Sequence, residues 1–406
     1  MNFKTFAFNP QINAAITNAG YDNPTPIQSK TIPAILEGRD VLGLAQTGTG
    51  KTAAFALPIL QQLSKGSGRK PRALIMAPTR ELARQTHETF KQLGKKTGLS
   101  VMSIYGGVSA HPQINRLRSG VDIVIACPGR LLDLKNQREI DLSKIEIFVL
   151  DEADHMVDMG FLPDIKRIIR ALPDRHQTLL FSATMPKKIY SFAMEMLHNP
   201  VRVEIDYKKP IDKISHVIYP VAQTQKLPAV LQLLDQHKSE QVLVFTRTKR
   251  RATKLAAQLD REGISTTSLQ GNLSQSKRDK AMRAFRNGHV KVMVATDIAA
   301  RGIDVMEVTH VINYDIPDTA EAYTHRTGRT GRMENEGKAL SLVTPDDKSM
   351  VRSIEKLLGK NLERKNIDGL KSPSKPHPSK IQTRDNGRMS KPNRQNQYRS
   401  SSKQHS

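Results

Sequence analysis

Four short, almost wholly apolar runs recur between Arg72 and Val203, each followed by an amphipathic stretch: ALIMAP (73–78), VDIVIACP (121–128), IEIFVLDEAD (145–154) and TLLFSAT (178–184). A strand with no polar face has to be covered on both sides, which is the condition of a parallel sheet with crossover helices on each face. The pattern pauses at VEIDYKKPIDKISH (203–216), whose mixed charge and Pro210 mark a connector. It restarts with QVLVFTRT (241–248), VKVMVATD (290–297), THVINYD (309–315) and ALSLVTP (339–345), separated by helix-like segments such as RRATKLAAQLDREG (250–263). The chain therefore reads as α/β, with two parallel-sheet domains in tandem: residues 1–206, a linker at 207–215, and residues 216–365. Its 406 residues suffice for two cores, since domains usually hold roughly 100 to 200 residues.

Beyond residue 365 the apolar residues nearly vanish, and Ser, Pro, Lys, Arg, Asn and Gln take over. A segment of that composition cannot bury enough surface to offset the entropy of ordering it, so 366–406 is expected to be a disordered basic tail. The whole chain carries 63 Lys and Arg against 39 Asp and Glu, a formal +24, which calls for a polyanionic partner: nucleic acid, a ribosome or an anionic membrane surface. Cys127 is the single cysteine, which excludes an intramolecular disulfide and leaves no Cys cluster for structural zinc. The twelve histidines show no ligand spacing such as HExxH, and no transition metal is assigned. MNFKTFAFNPQ lacks the apolar core of a signal peptide, and no run nears the ~18 apolar residues of a membrane span, so a soluble cytoplasmic protein is expected.

Chemistry enters at AQTGTGKT (45–52), which follows the strand end DVLGL and precedes the helical pattern AAFALPILQQL. In a strand, Gly-rich turn and helix start of this kind, backbone N–H groups and the helix dipole cradle phosphates; Lys51 reaches the outer phosphate oxygens and Thr52 ligates Mg²⁺. The strict form of the motif has Gly at the place of Ala45. Such a site needs an acid at the end of a buried strand. IFVLDEAD supplies Asp151, to hold Mg²⁺ through its water shell, and Glu152, to orient or deprotonate an attacking water. Upstream, GYDNPTPIQ (20–28) offers Tyr21 for stacking on a base and the Gln28 carboxamide for the N6 and N7 edge of adenine; taken alone it is a Pro-rich turn. In the far domain HRTGRTGR (325–332) sets Arg329 and Arg332 beside two glycines, either a solvated basic turn or an arginine finger that spreads transition-state charge on a γ-phosphate.

Between these segments stand PTRELA (78–83), Gly106 and Gly107, CPGR (127–130), SAT (182–184), VFTRTK (244–249), QGNLSQ (270–275) and ATDIAARGID (295–304). In this order, from about Phe3 to about Leu358, the chain resembles the DEAD-box RNA helicases of superfamily two, most closely their bacterial RhlE type. The resemblance implies two RecA-like domains and an ATP-dependent RNA helicase whose hydrolysis of ATP, with Mg²⁺, is stimulated by RNA. It implies that Tyr21 and Gln28 select adenine, that Gly48, Thr49, Gly50, Lys51 and Thr52 bind phosphates and Mg²⁺, and that Asp304 meets the ribose from the second domain. Lys51, Asp151, Glu152, Arg329 and Arg332 form the implied catalytic set, and Ser182 and Thr184 couple hydrolysis to domain closure. RNA phosphates and sugars are assigned to Arg80, Gly107, Gly129, Arg130, Thr246, Arg247, Gly271 and Thr296. Mostly small, hydroxylated or basic, these residues suit backbone contact rather than base reading, so binding is expected to be largely independent of sequence.

One position departs from the family. Cys127 stands where Thr usually precedes PGR, so a hydroxyl donor to phosphate becomes a weak thiol donor, with the backbone N–H of Cys127 left to serve. A reactive cysteine finds no support, since no His lies nearby in sequence. The implied mechanism is a cleft that closes on ATP and a bent single strand, destabilising short duplexes locally. An ATP-gated RNA clamp or assembly platform with little unwinding needs the same motifs. Ribosomal precursors and RNA-decay proteins are the further partners the family suggests.

Overall fold

The computed structural model describes residues 2–46, 48–64, 66, 70–205, 214–238, 240–300, 308–331 and 337–370, the side chains of Ile298 and Ala300 excepted. Within them the apolar runs become strands covered on both faces. β1 (Val41–Leu44), β2 (Ala73–Met76), β3 (Val101–Ile104), β4 (Ile123–Ala126), β5 (Ile147–Leu150), β6 (Gln177–Ser182) and β7 (Val201–Glu204) form one sheet in the order β3-β4-β2-β5-β6-β1-β7. Every neighbouring pair is parallel. β8 (Ile214–Pro220), β9 (Val242–Phe245), β10 (Thr266–Leu269), β11 (Val292–Ala295), β12 (His310–Asn313), β13 (Gly337–Val343) and β14 (Glu363–Arg364) form the second, in the order β10-β11-β9-β12-β13-β8-β14. It too is parallel throughout. Subtracting seven from each label of the second sheet returns the order of the first, so one wound topology is built twice.

The central strands β2, β4, β5 and β9 bury every residue. The edge strands β3 (VMSI), β7 (VRVE) and β10 (TTSL) are partly exposed and carry polar side chains, which is why no continuous apolar run announces them. On one face of the first sheet Phe55 packs against Phe181 and Phe90, with ring centroids 5.4 and 6.1 Å apart. Burial of each such side chain stabilises by roughly 1.5–3 kcal/mol. Phe55 lies on the helix Lys51–Leu63, so this cluster anchors the helix whose first residue belongs to the Gly-rich turn.

Two boundaries move from their expected places. The linker expected at 207–215 gives up its last two residues to the second sheet, since β8 begins at Ile214, while β7 ends at Glu204; Val203 and Ile214 are buried in sheet packing. Residues 206–213 lie outside the described residues. Residues 366–370, expected to belong to the tail, dock on the second domain. Ile367 is buried in the second core, Leu370 packs against the same cluster, and Gln232 Nε2 donates to the Asp368 carbonyl at 3.1 Å. Two apolar residues in a polar stretch were enough to dock it. Residues 371–406 lie outside the described residues. No described helix is long and apolar enough to cross a membrane.

The chemistry-bearing segments fall at the carboxyl ends of strands, where wound α/β sheets open their crevice. The turn 45–52 follows β1, Thr79 and Arg80 follow β2, Cys127 follows β4, Asp151 follows β5, and Ser182 ends β6. In the second sheet Thr246 follows β9, Gln270 follows β10 and Thr296 follows β11. Hydroxyl caps fix several helix starts beside them: Thr79 Oγ1 accepts from the Leu82 N–H at 3.2 Å, Thr248 Oγ1 from Arg251 at 3.3 Å and Ser274 Oγ from Lys277 at 3.4 Å.

Candidate active site and nucleic-acid interface

The turn after β1 holds Gly48 at φ 86° and Gly50 at φ 91°, left-handed conformations that bring successive N–H groups round toward the helix start. Lys51 opens that helix, and its buried Nζ donates to the Ala45 carbonyl at 2.6 Å. Thr49 Oγ1 donates to the Gln46 carbonyl at 2.7 Å, and Thr52 is half-buried in the first helical turn. Gln28 joins the same structure. Its Oε1 accepts from the Thr25 N–H at 2.9 Å, and its Nε2 donates to the Gly50 carbonyl at 3.1 Å. A Cβ on Gly50 would stand 2.5 Å from that nitrogen. The carboxamide expected to read adenine is thus engaged with the phosphate turn itself. Tyr21 stacks on Phe3, centroids 6.2 Å apart, and burial pushes its phenol up.

The two acids after β5 are buried side by side and differ in charge preference. Burial pushes the Asp151 carboxyl up to about 7, with Lys51 pulling it down and Glu152 pushing it further up. Burial raises Glu152 as well, yet the hydrogen-bonded His155, then Lys51 and Arg329, more than reverse this and hold it down to about 2. Glu152 sits at φ 52°, a strained conformation for a non-glycine residue. Its Oε2 is 2.8 Å from His155 Nδ1. The two neighbouring acids are thus pushed in opposite directions, the divergence that acid–base sites use.

Asp154 ties this strand end to β6. Its Oδ2 accepts from both the N–H and the Oγ1 of Thr184, at 2.9 and 3.0 Å, while its own N–H donates to Ser182 Oγ at 3.3 Å. Ser182 Oγ donates in turn to the Thr184 carbonyl at 2.7 Å. Across the cleft the helix Ala320–Thr327 brings up the second domain. His325 meets His155 ring to ring, and the buried Arg329 acts on Glu152. Arg326 is fully buried and fixes this helix: it grips Asp297 at 2.5 and 2.8 Å and donates to Asn313 Oδ1 and the Asp315 carbonyl.

The residues expected to hold RNA line both domains, and several are joined to each other. Arg80 Nη1 donates to Gln275 Oε1 of the second domain at 3.0 Å. Its guanidinium covers Gly107, where a Cβ at φ 72° would stand 2.2 Å from Nη1. A Cβ on Gly129 or Gly271 would meet nothing within 4 Å. Arg130 Nη2 donates to the Val108 carbonyl at 3.1 Å. Arg247 is held by Asp315, through its N–H at 3.1 Å, and by Asp318 at 3.2 Å. Thr246 and Thr296 are buried at their strand ends. Asp304 and Arg332 lie outside the described residues.

Cys127 requires a correction. Its backbone N–H, expected to be free for a phosphate, donates to the Ile104 carbonyl at 2.8 Å, because the ladder between β3 and β4 continues one residue past the strand. Burial, and then Glu81, push its thiol up to about 12, so it is neither a thiolate nor a reactive nucleophile.

Ion pairs cross between the domains beside this track. Arg278 Nη2 lies 2.7 Å from Glu81 Oε1, and Arg84 Nη1 lies 2.8 Å from Asp279 Oδ1. Sequence reasoning passed over Glu81, Arg84, Arg278 and Asp279, and with them Asp154, His155 and Gln275 as site residues. Glu81, Asp154 and Gln275 stand inside quoted motifs without a role assigned to them; for Arg84, Arg278 and Asp279 the signal was charge at helical spacing, which a solvated helix face shows equally.

Residues 25–192 match the sequence pattern described as DEAD/DEAH box helicase, and residues 225–334 that of the helicase conserved C-terminal domain. The DEAD-box ATP-dependent RNA helicase CshA of Bacillus subtilis is 42% identical over 365 residues, covering 90% of this chain and 74% of that protein. Its namesake from Streptococcus pneumoniae is 44% identical over 375 residues, 92% of this chain and 70% of that one. Among solved structures, S. cerevisiae Dbp5 bound to RNA and ADP BeF3 has a TM-score of 0.80 at 31% identity, over 90% of this chain and 96% of that one.

Proposed function

This chain belongs to the DEAD-box family of ATP-dependent RNA helicases, and from that premise we propose that it couples ATP hydrolysis to closure of its two domains on RNA, unwinding short duplexes or remodelling RNA–protein complexes. The observation that carries this reading is the contact of His325, from the second domain, with His155, whose Nδ1 stands 2.8 Å from Glu152 Oε2 in the first. A hydrolytic site completed by the far domain works only when the domains meet. RNA gripped by both domains favours that meeting, and ATP and RNA binding are then reciprocally coupled.

In this reading Gly48, Thr49, Gly50 and Lys51 take the phosphates, Lys51 exchanging the Ala45 carbonyl for phosphate oxygens. Gln28 and Tyr21 receive adenine, the Gln28 carboxamide exchanging its bond to Gly50 for the base edge, and Asp304 receives the ribose. Thr52 and Asp151 are hard oxygen donors and fit Mg²⁺, which would also relieve the burial that pushes Asp151 up. Bound there, the ion supplies charge neutralisation at the β- and γ-phosphates. Glu152, ionised and oriented by His155, positions the attacking water, and Arg329 with Arg332 spreads the charge that develops on the γ-phosphate. Ser182 and Thr184 transmit the state of the site through Asp154. Arg80, Gly107, Gly129, Arg130, Thr246, Arg247, Gly271 and Thr296 hold the RNA backbone without reading sequence.

Placement in the RhlE subfamily, a cytoplasmic location and partners among ribosomal precursors or RNA-decay proteins belong to the same proposal and rest on the motifs and the basic charge. Strand displacement on a short RNA duplex, measured beside ATP-dependent RNA retention, tests the helicase reading. Retention without displacement would leave the chain an ATP-gated clamp.

A further inference from the structure

At the amino-terminal edge of the second sheet, opposite the strand ends that bear the motifs, three side chains converge. His237 follows the helix Lys226–Gln236, Glu240 precedes β9, and His310 opens β12. Glu240 Oε2 is 2.6 Å from His310 Nδ1, Glu240 Oε1 is 3.5 Å from His237 Nδ1, and the two imidazoles lie with centroids 3.9 Å apart and planes tilted by 34°. One donor atom from each residue lies within 4.8 Å of the other two. The nucleotide and RNA chemistry uses none of them.

Two features set the cluster apart from an ordinary surface ion pair. His310 is 2% exposed, so its ring is held in place by the packed edge of the sheet. Both imidazoles turn Nδ1 toward one carboxylate, an arrangement in which a single cation can replace the shared protons. Thr309 Oγ1, itself donating to the Gln241 carbonyl, stands 3.1 Å from His310 Nδ1, a contact that an ion bound at that nitrogen replaces.

We propose that His237, Glu240 and His310 bind one first-row divalent transition metal, Zn²⁺ in particular, with a fourth position open to water. Two imidazoles and one carboxylate suit Zn²⁺, whereas Mg²⁺ and Ca²⁺ want oxygen ligands throughout. Donors on one tetrahedral ion stand roughly 3.3 to 3.5 Å apart, so Glu240 Oε2 and His310 Nδ1, now 2.6 Å apart, separate while the more distant donors close in, movements that side-chain torsions supply. The ion ties the end of a helix to the starts of β9 and β12, which are hydrogen-bonded neighbours, and so braces the second domain. Lys338, in register with His310, repels the ion and keeps its affinity below that of a closed structural site.

The test is titration of the full-length protein with Zn²⁺ alone against a chromophoric chelator, with Co²⁺ followed in parallel by its visible absorption. One Zn²⁺ per chain is expected at micromolar affinity or better, weakened at least about tenfold by His237→Ala and by Glu240→Gln through loss of a ligand. Wild type alone should give the intense Co²⁺ bands of a tetrahedral site and a Zn²⁺-dependent rise in Tm. Both variants should keep RNA-stimulated ATPase within about twofold of wild type, which reports their folding; if one does not, the other and the wild-type Co²⁺ spectrum decide. Absence of stoichiometric Zn²⁺, or variants that bind it as tightly as wild type, would overturn the assignment.

Discussion

The imidazole of His155 in the first domain meets that of His325 in the second edge to face, centroids 5.2 Å apart with planes at 78°, while its Nδ1 stands 2.8 Å from Glu152 Oε2. The residue after the DEAD acids thus touches both Glu152, proposed to orient water, and the segment that carries Arg329, proposed as the arginine finger. In His155→Ala the Glu152 carboxyl is deprived of the partner that does most to hold it near 2 against its burial, so it should rise. RNA-stimulated kcat is expected to fall about tenfold at neutral pH, and the acid limb of the pH profile to move to higher pH, since a raised pKa protonates the base sooner. A profile that superimposes on wild type would show that His155 does not set the charge of Glu152.

Glu152→Gln keeps the shape of the site and removes its base. Hydrolysis should slow by about 100-fold or more while ATP and RNA binding change little, leaving the protein held on RNA in the presence of ATP. Single-turnover hydrolysis and RNA retention check this; wild-type hydrolysis in the variant would mean that Glu152 has another role.

Burial holds Asp151 up to about 7 in the folded chain, whereas an unfolded aspartate titrates near ~3.9. Between these values the folded chain binds more protons than the unfolded one, so this group makes stability fall as pH rises from about 4 to about 7. Asp151→Asn should therefore melt above wild type, by about 2–6 °C at pH 8 and by less at pH 5, in the absence of nucleotide and metal, with ATPase lost. Equal melting temperatures at pH 8 would show that the carboxylate carries no such penalty.

Glu81 and Arg278 are each mostly buried where they meet between the domains. Arg278→Glu should raise the RNA concentration needed for half-maximal ATPase about threefold to tenfold, by repulsion across the cleft. Combining it with Glu81→Arg should recover much of the loss, with a coupling of roughly 0.5–3 kcal/mol in a double-mutant cycle. Strict additivity would place the pair outside the closing interface.

Truncation separates the docked end of the second domain from the basic residues beyond it. Deleting 371–406 removes nine basic residues and one acid, eight net positive charges, and no described core residue. Melting temperature and ATPase at saturating RNA should hold, while RNA affinity drops and its dependence on salt becomes shallower by roughly 0.7 to 0.9 for each phosphate no longer neutralised. Deleting from Ile367 should in addition lower Tm, because Ile367 and Leu370 leave the core. An unchanged salt slope after the shorter deletion would show that this segment does not touch RNA.

What the sequence determined by itself was local. An apolar run dictates a strand covered on two faces, and AQTGTGKT dictates a phosphate turn, because both depend on residues a few positions apart. These were enough for two parallel-sheet domains and for the positions of Lys51, Asp151 and Glu152 at strand ends. Edge strands such as β3 and β10, half exposed and partly polar, left no such mark. Tertiary structure decided the partners. Glu81 and Arg278 are 197 residues apart, and only the facing of two separately wound sheets makes them a pair. Gln28 meets Gly50, Cys127 spends its N–H on Ile104, and His310 comes to His237 and Glu240, each because strand order and helix packing set which loops share an edge. That order is the outcome of many weak apolar contacts acting together, and no single stretch of the chain carries it.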